Sequence, residues 1–183
     1  EEYKARRGAR YRLEPVYMKA LLGASAGLVA PDANGTLRVT FGKVSGVDIR
    51  DGLHYKPQTT VQGILEKHAP GGEFEVPKPL LDAIAALRAG KQTPYRDAAL
   101  GDVPVDFLSS VDTTGGNSGS ATLDAKGRLC GLLFDGTYDT VASDILFDPV
   151  RTRSIHVDSR YLLWVLKEVE GATWILEELG SGK

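Results

Sequence analysis

The chain has 183 residues, 42% of them hydrophobic and 25% charged, with a formal net charge of −2. That length and composition suit one soluble globular domain or one large lobe with a sizeable core, and exclude a low-complexity or disordered chain. Scattered acids and bases give neither a nucleic-acid footprint nor a membrane-binding surface, and no apolar run reaches transmembrane length. Cys130 is the single cysteine; it lies in an apolar strand-like run and reads as a small buried hydrophobe. The first residue is Glu1 and no signal-peptide pattern follows it, which points to a processed chain or a fragment.

In chain order, residues 1–30 read as a helical lead-in, with Tyr11, Leu13, Val16, Tyr17, Ala20 and Leu21 near helical spacing and Pro15 as a break or restart. Pro31 to Gly35 is a dense turn signal, after which residues 36–41 alternate polar and apolar as a strand with one buried face does. Residues 47–57 read as a loop. Thr59 and Thr60 cap a helix carrying Val61, Ile64 and Leu65, and Pro77 to Leu87 forms a second short amphipathic helix that stops at Gly90. After a surface loop over 91–101, residues 103–108 form a strand.

The next stretch is the one that looks like chemistry: Thr113-Thr114-Gly115-Gly116-Asn117-Ser118-Gly119-Ser120. Glycine adopts positive φ at little steric cost, so such a run can fold into a tight loop whose amides converge on one point. Acyl transfer needs a hydroxyl at the substrate carbonyl and N–H donors where the oxyanion forms. Ser118 fits the first need, and the amides of Gly116 and Ser118 fit the second. This is the arrangement of the chymotrypsin-like double-barrel peptidases. The nucleophile elbow of α/β-hydrolases is disfavoured, because position 120 is Ser and a strand rather than a helix follows. A glycine-rich run is also commonly a plain turn.

Residues 120–123 and 128–134 read as a hairpin joined by Asp124-Ala125-Lys126-Gly127. The second strand, apolar at consecutive positions, suits one face lining a barrel and the other packing on a further lobe. Residues 154–157 form a short strand, and Ser159 is read as the cap of a closing helix striped by Leu162, Val165, Leu166 and Val169.

Taken together, Asp112 to Ser120, Gly131 to Gly136, Ser143-Asp144, Arg153-Ser154-Ile155, Val157-Asp158 and Arg160 to Trp164 resemble the bacterial dipeptidyl-peptidases of the seven and eleven type, serine peptidase family forty-six. Upstream, Thr40 to Val44, Asp51-Gly52, Thr59-Thr60 and Glu73 to Pro77 are similar to that family as well. The resemblance implies a mainly β fold with flanking helices, the C-terminal barrel half of a chymotrypsin-like double β-barrel over residues 31–183. The first barrel and an inserted helical domain would lie outside the chain. It further implies Ser118 as nucleophile, Gly116 and Ser118 as oxyanion donors, and peptide substrates with a free amino terminus. No cofactor, metal, nucleic acid or membrane enters the expected chemistry. A periplasmic or secreted location and a homodimer in the complete enzyme follow from the same resemblance.

Ala121 stands where the family often has proline, a departure that touches strand geometry rather than chemistry. Gly136 falls where the family lines its primary pocket and the eleven-type enzymes carry arginine, so an open, uncharged pocket favouring apolar residues before the scissile bond is expected. The triad His and Asp have no counterpart here, since His54, His68 and His156 each sit in a context with a structural role, and the chain alone is expected to be inactive. Asp112, six residues before Ser118, reads either as a trypsin-like pocket base or as a loop-bracing hydrogen bonder, and the resemblance favours the second. A stand-alone β-rich binding or scaffold module that kept the loop without its chemistry is the competing reading.

Overall fold

The structure, a computed structural model, describes residues 2–25, 35, 37–143 and 147–180. It divides into a first unit over residues 1–39 and a second over 40–183. In the first, helix α1 (Glu2–Ala24) runs through Pro15 without ending there and buries none of its residues. Pairs one turn apart, such as Arg10 with Glu14 at 3.0 Å, support it along its surface. The small apolar run after Ala24 and the turn at 31–35 lie mostly outside the described residues.

The second unit is built on a five-stranded antiparallel sheet. Its strands are β3 (Gln58–Thr60), β4 (Pro104–Ser109), β5 (Ala121–Leu123), β6 (Leu129–Gly136) and β7 (Ser154–Asp158), in the order β3-β4-β7-β6-β5. A separate hairpin, β1 (Val47–Arg50) with β2 (Leu53–Tyr55), precedes them. The fold is therefore mainly β with flanking helices, as the sequence suggests. The sheet is open: among the described residues β3 and β5 are not paired and no closed barrel forms.

Helices α2 (Val61–Lys67), α3 (Lys78–Arg88), α4 (Ser159–Glu168) and α5 (Thr173–Glu178) complete the unit. Thr60 caps α2 by accepting the Gln62 amide at 3.3 Å, and Gly90 closes α3 at φ +98°. Val61, Ile84, Leu87, Tyr95, Val103 and Trp164 form the core where α2, α3 and α4 meet β4. Two ion pairs border it, Arg88 with Asp102 and Arg160 with Asp158.

Three expectations are corrected. The alternating stretch before Gly42 is no strand: residues 37–41 join no sheet among the described residues, and Leu37, Val39 and Phe41 are 93%, 79% and 91% exposed, because an alternating pattern becomes a strand only beside a partner strand. The loop read over 47–57 holds the β1–β2 hairpin, whose three- and four-residue strands are too short to outweigh the Asp51-Gly52 turn signal. The cap of α4 is Asp158, whose carboxylate accepts the Arg160 amide at 2.9 Å; Ser159 is already the first helical residue.

Candidate active site

The serine loop hangs between the end of β4 and the start of β5, and hydrogen bonds fix both limbs. On the incoming limb Ser110 Oγ accepts the Lys43 amide at 3.1 Å, and the Asp112 amide donates to Thr40 Oγ1 at 3.2 Å. At the tip, Asn117 Oδ1 accepts the Thr114 amide at 2.9 Å while the Asn117 carbonyl accepts the Ser120 amide at 2.9 Å. The outgoing limb is locked to β6, with Gly119 donating to the Leu133 carbonyl at 2.7 Å and Leu133 donating back to Ser120 at 3.0 Å. Gly116 and Gly119 take φ of +97° and +85°, a region that L side chains rarely enter, which explains glycines on either side of the hydroxyl. Ser118 stands exposed, its Oγ 3.5 Å from the Phe134 carbonyl. Among the described residues nothing accepts the amide N–H of Gly116 or of Ser118.

A cavity of about 230 Å³ opens at this serine, lined by Thr113, Thr114, Gly115 and Ser118 on one wall. Leu133, Phe134, Asp135 and Gly136 of β6, with Thr140 and Val141 of the following 3₁₀ turn, form the other. Gly136 thus lies where a pocket residue was expected, but it does not leave the pocket open. A Cβ there would fall 2.4 Å from Thr140 Oγ1, so the threonine already occupies the space that glycine vacates. Among the described residues Asp135 is the one titratable group in the lining, and its carboxylate accepts the Gly136 amide at 2.8 Å. Asp112 is exposed and absent from the lining; its backbone amide, rather than its carboxylate, does the bracing.

None of the three histidines contacts Ser118 among the described residues. His54 on β2 is exposed and meets its cross-strand partner Asp48 through Nδ1 at 2.7 Å. His68 closes α2, and its Nδ1 accepts the Val76 amide at 3.0 Å. His156, 2% exposed on β7, has both ring nitrogens engaged, Nε2 with Ser109 Oγ and Nδ1 with Thr122 Oγ1, each at 2.7 Å. Burial drives its pKa down to about 4, so the ring is neutral near pH 7. Cys130 is half-buried with its thiol pushed up by desolvation, no profile for a nucleophile.

The serine loop and Gly136 are the cavity residues that the sequence singles out; Leu133, Phe134, Asp135, Thr140 and Val141 are not. Their signal was adjacency to Gly136 in the chain. Among the described residues no helix is long and apolar enough to cross a membrane, and no cluster of three His, Cys, Asp or Glu is placed to hold a metal ion.

An exposed serine in a glycine-framed loop, set on an antiparallel sheet beside a cavity, supplies the hydroxyl and the free amides that acyl transfer requires, without a base in contact among the described residues. The chain belongs to the Peptidase S46 family, whose model matches residues 1–181. It is 42% identical over 186 residues to an Asp/Glu-specific dipeptidyl-peptidase of Shewanella putrefaciens, covering 90% of this chain and 25% of that protein. It is 40% identical over 151 residues to dipeptidyl-peptidase 7 of Phocaeicola vulgatus, covering 82% of this chain and 20% of the relative. The crystal structure of Porphyromonas endodontalis DPP11 in complex with the dipeptide Arg-Asp matches with a TM-score of 0.80 at 36% identity, over 88% of this chain and 23% of that one. The chain thus spans about a quarter or less of the length of these relatives.

Proposed function

We propose that this chain carries the nucleophile of a serine dipeptidyl-peptidase that releases dipeptides from the amino terminus of peptides. The observation that carries the reading is Ser118, exposed on the cavity, with the Gly116 and Ser118 amides unclaimed beside it. Ser118 Oγ attacks the scissile carbonyl, the two amides stabilise the oxyanion, and collapse expels the amine and leaves an acyl-enzyme that water hydrolyses. The proton leaving Ser118 needs a base that the described residues do not place at it. His156 has no free nitrogen, and neither His54 nor His68 contacts Ser118 among the described residues. The isolated chain is accordingly inactive, and the open sheet is half of a double β-barrel whose missing half covers apolar groups such as Phe41 and Val44, exposed at 91% and 54%.

The substrate lies along β6. That strand continues through Phe134, Asp135 and Gly136 beyond its last β5 partner, Leu132, leaving backbone groups next to Ser118 for an extended peptide to pair with. The residue before the scissile bond is apolar: among the described residues the lining carries Leu133, Phe134 and Val141, no basic side chain, and one carboxylate at Asp135 that opposes an acidic group. That preference would set this chain apart from the relatives named Asp/Glu-specific. A dipeptidyl reporter series on the full-length protein tests it. Leu, Met and Phe before the bond should outperform Asp and Glu by about tenfold or more; the reverse order rejects the apolar preference. Binding without turnover of any reporter would favour the scaffold reading.

A further inference from the structure

Two stretches of chain run into and out of the Ser118 loop, and one buried side chain touches both. His156 lies on β7, opposite Phe107 of β4 and Leu133 of β6 in the register of the sheet. Its Nε2 meets Ser109 Oγ, at the last residue of β4 before the loop, and its Nδ1 meets Thr122 Oγ1, on β5 just after it. These partners are 47 and 34 residues away in sequence, and β6 lies between β7 and β5, so the ring reaches past a whole strand to complete the bridge. The fold makes room for that reach. Phe107 stacks on the imidazole with centroids 4.7 Å apart and planes 6° apart. Gly131 of β6 has no room for a side chain: a Cβ there would stand 2.6 Å from the Val157 carbonyl oxygen and 2.7 Å from the Phe107 ring.

The ring is 2% exposed and held on both nitrogens, so it cannot serve as the base for Ser118. A neutral imidazole donates at one nitrogen and accepts at the other, so the two hydroxyls take opposite roles, and a hydrocarbon of the same size would leave both without partners. We propose that His156 is a positioning residue for the Ser118 loop: by tying Ser109 to Thr122 it fixes the separation of the loop's two ends, and through them the placement of Ser118 and of the Gly116 and Ser118 amides. The inference rests on the functional reading of Ser118.

The test cuts the bridge at its far end in the full-length protein. Thr122→Val keeps the shape and removes the hydroxyl, while Thr122→Ser keeps the hydroxyl and removes a methyl. Fluorophosphonate labelling and kcat on a dipeptidyl reporter should fall about tenfold or more in Thr122→Val, since small misplacements of reacting groups are that costly, with KM within about twofold of wild type. Thr122→Ser should restore the rate. If Thr122→Val does not fold, Ser109→Ala cuts the other end and is read in the same way. Wild-type labelling in folded Thr122→Val overturns the inference alone, as does an equal loss in Thr122→Ser. Labelling that survives Ser118→Ala overturns the functional reading, and the inference with it.

Discussion

The two sides of the sheet-bearing unit hold themselves together by different means. Around Trp164 the chain packs hydrocarbon: Val61, Ile84, Leu87 and Val103 are at most 3% exposed, and three helices close over β4. The Ser118 loop itself has almost no hydrocarbon to bury. The loop residues from Thr114 to Ser120 are exposed but for Asn117, and the backbone is fixed by hydrogen bonds to β6, by Asn117, and by the buried hydroxyls and imidazole beneath. Apolar burial is non-directional and tolerates some slack, whereas hydrogen bonds specify position. The helical side can therefore supply stability, and the loop side placement of one hydroxyl.

Four variations break or sharpen that contrast. The largest effect is Ser118→Ala in the full-length protein, which should lower dipeptidyl turnover by roughly 10⁴–10⁶-fold. Its denaturation midpoint should stay within experimental error, because Ser118 is exposed and its Oγ makes a single long contact at 3.5 Å. The opposite pattern is expected of Trp164→Ala, a side chain 1% exposed, with a stability loss of about 3–5 kcal/mol by urea denaturation and wild-type labelling of the fraction that stays folded.

Next comes pH. His156 has its pKa lowered by burial from 6.5 to about 4, so below pH 6.5 the unfolded chain takes up a proton that the folded chain refuses. Stability is thus complete above about pH 6.5 and declines as pH falls toward 4, by a total near 3 kcal/mol. In His156→Gln that slope should flatten between the same limits, as measured by denaturant titration across the range. The smallest effect belongs to the exposed Lys78–Asp82 pair at 2.7 Å, where Lys78→Ala should change stability by less than about 0.5 kcal/mol.

What was legible in the sequence follows the range of the interactions. The β5–β6 hairpin announced itself through Asp124 and Gly127, whose bonds close within four residues: Asp124 Oδ1 takes the Lys126 and Arg128 amides at 2.8 and 3.0 Å. The α2 cap at Thr60, the α3 stripe and the glycine frame of Ser118 were readable for the same reason. The strand expected before Gly42 failed because alternation says only which face a strand would bury, not whether a partner lies beside it. The bridge at His156 was invisible, since its two hydroxyl partners are defined by the sheet order alone. Thr140, which fills the space at Gly136, was hidden in the 3₁₀ turn that folds back over the end of β6.

The central claim is that the acyl-accepting atom of the full-length protein is Ser118 Oγ. Its most direct measurement is peptide mass spectrometry after reaction with a fluorophosphonate, comparing wild type with Ser118→Ala. One phosphonylated peptide spanning the Gly115–Ser120 loop is expected, with the adduct on Ser118, and none in the variant. An adduct on any other residue, or one that persists in Ser118→Ala, would contradict it.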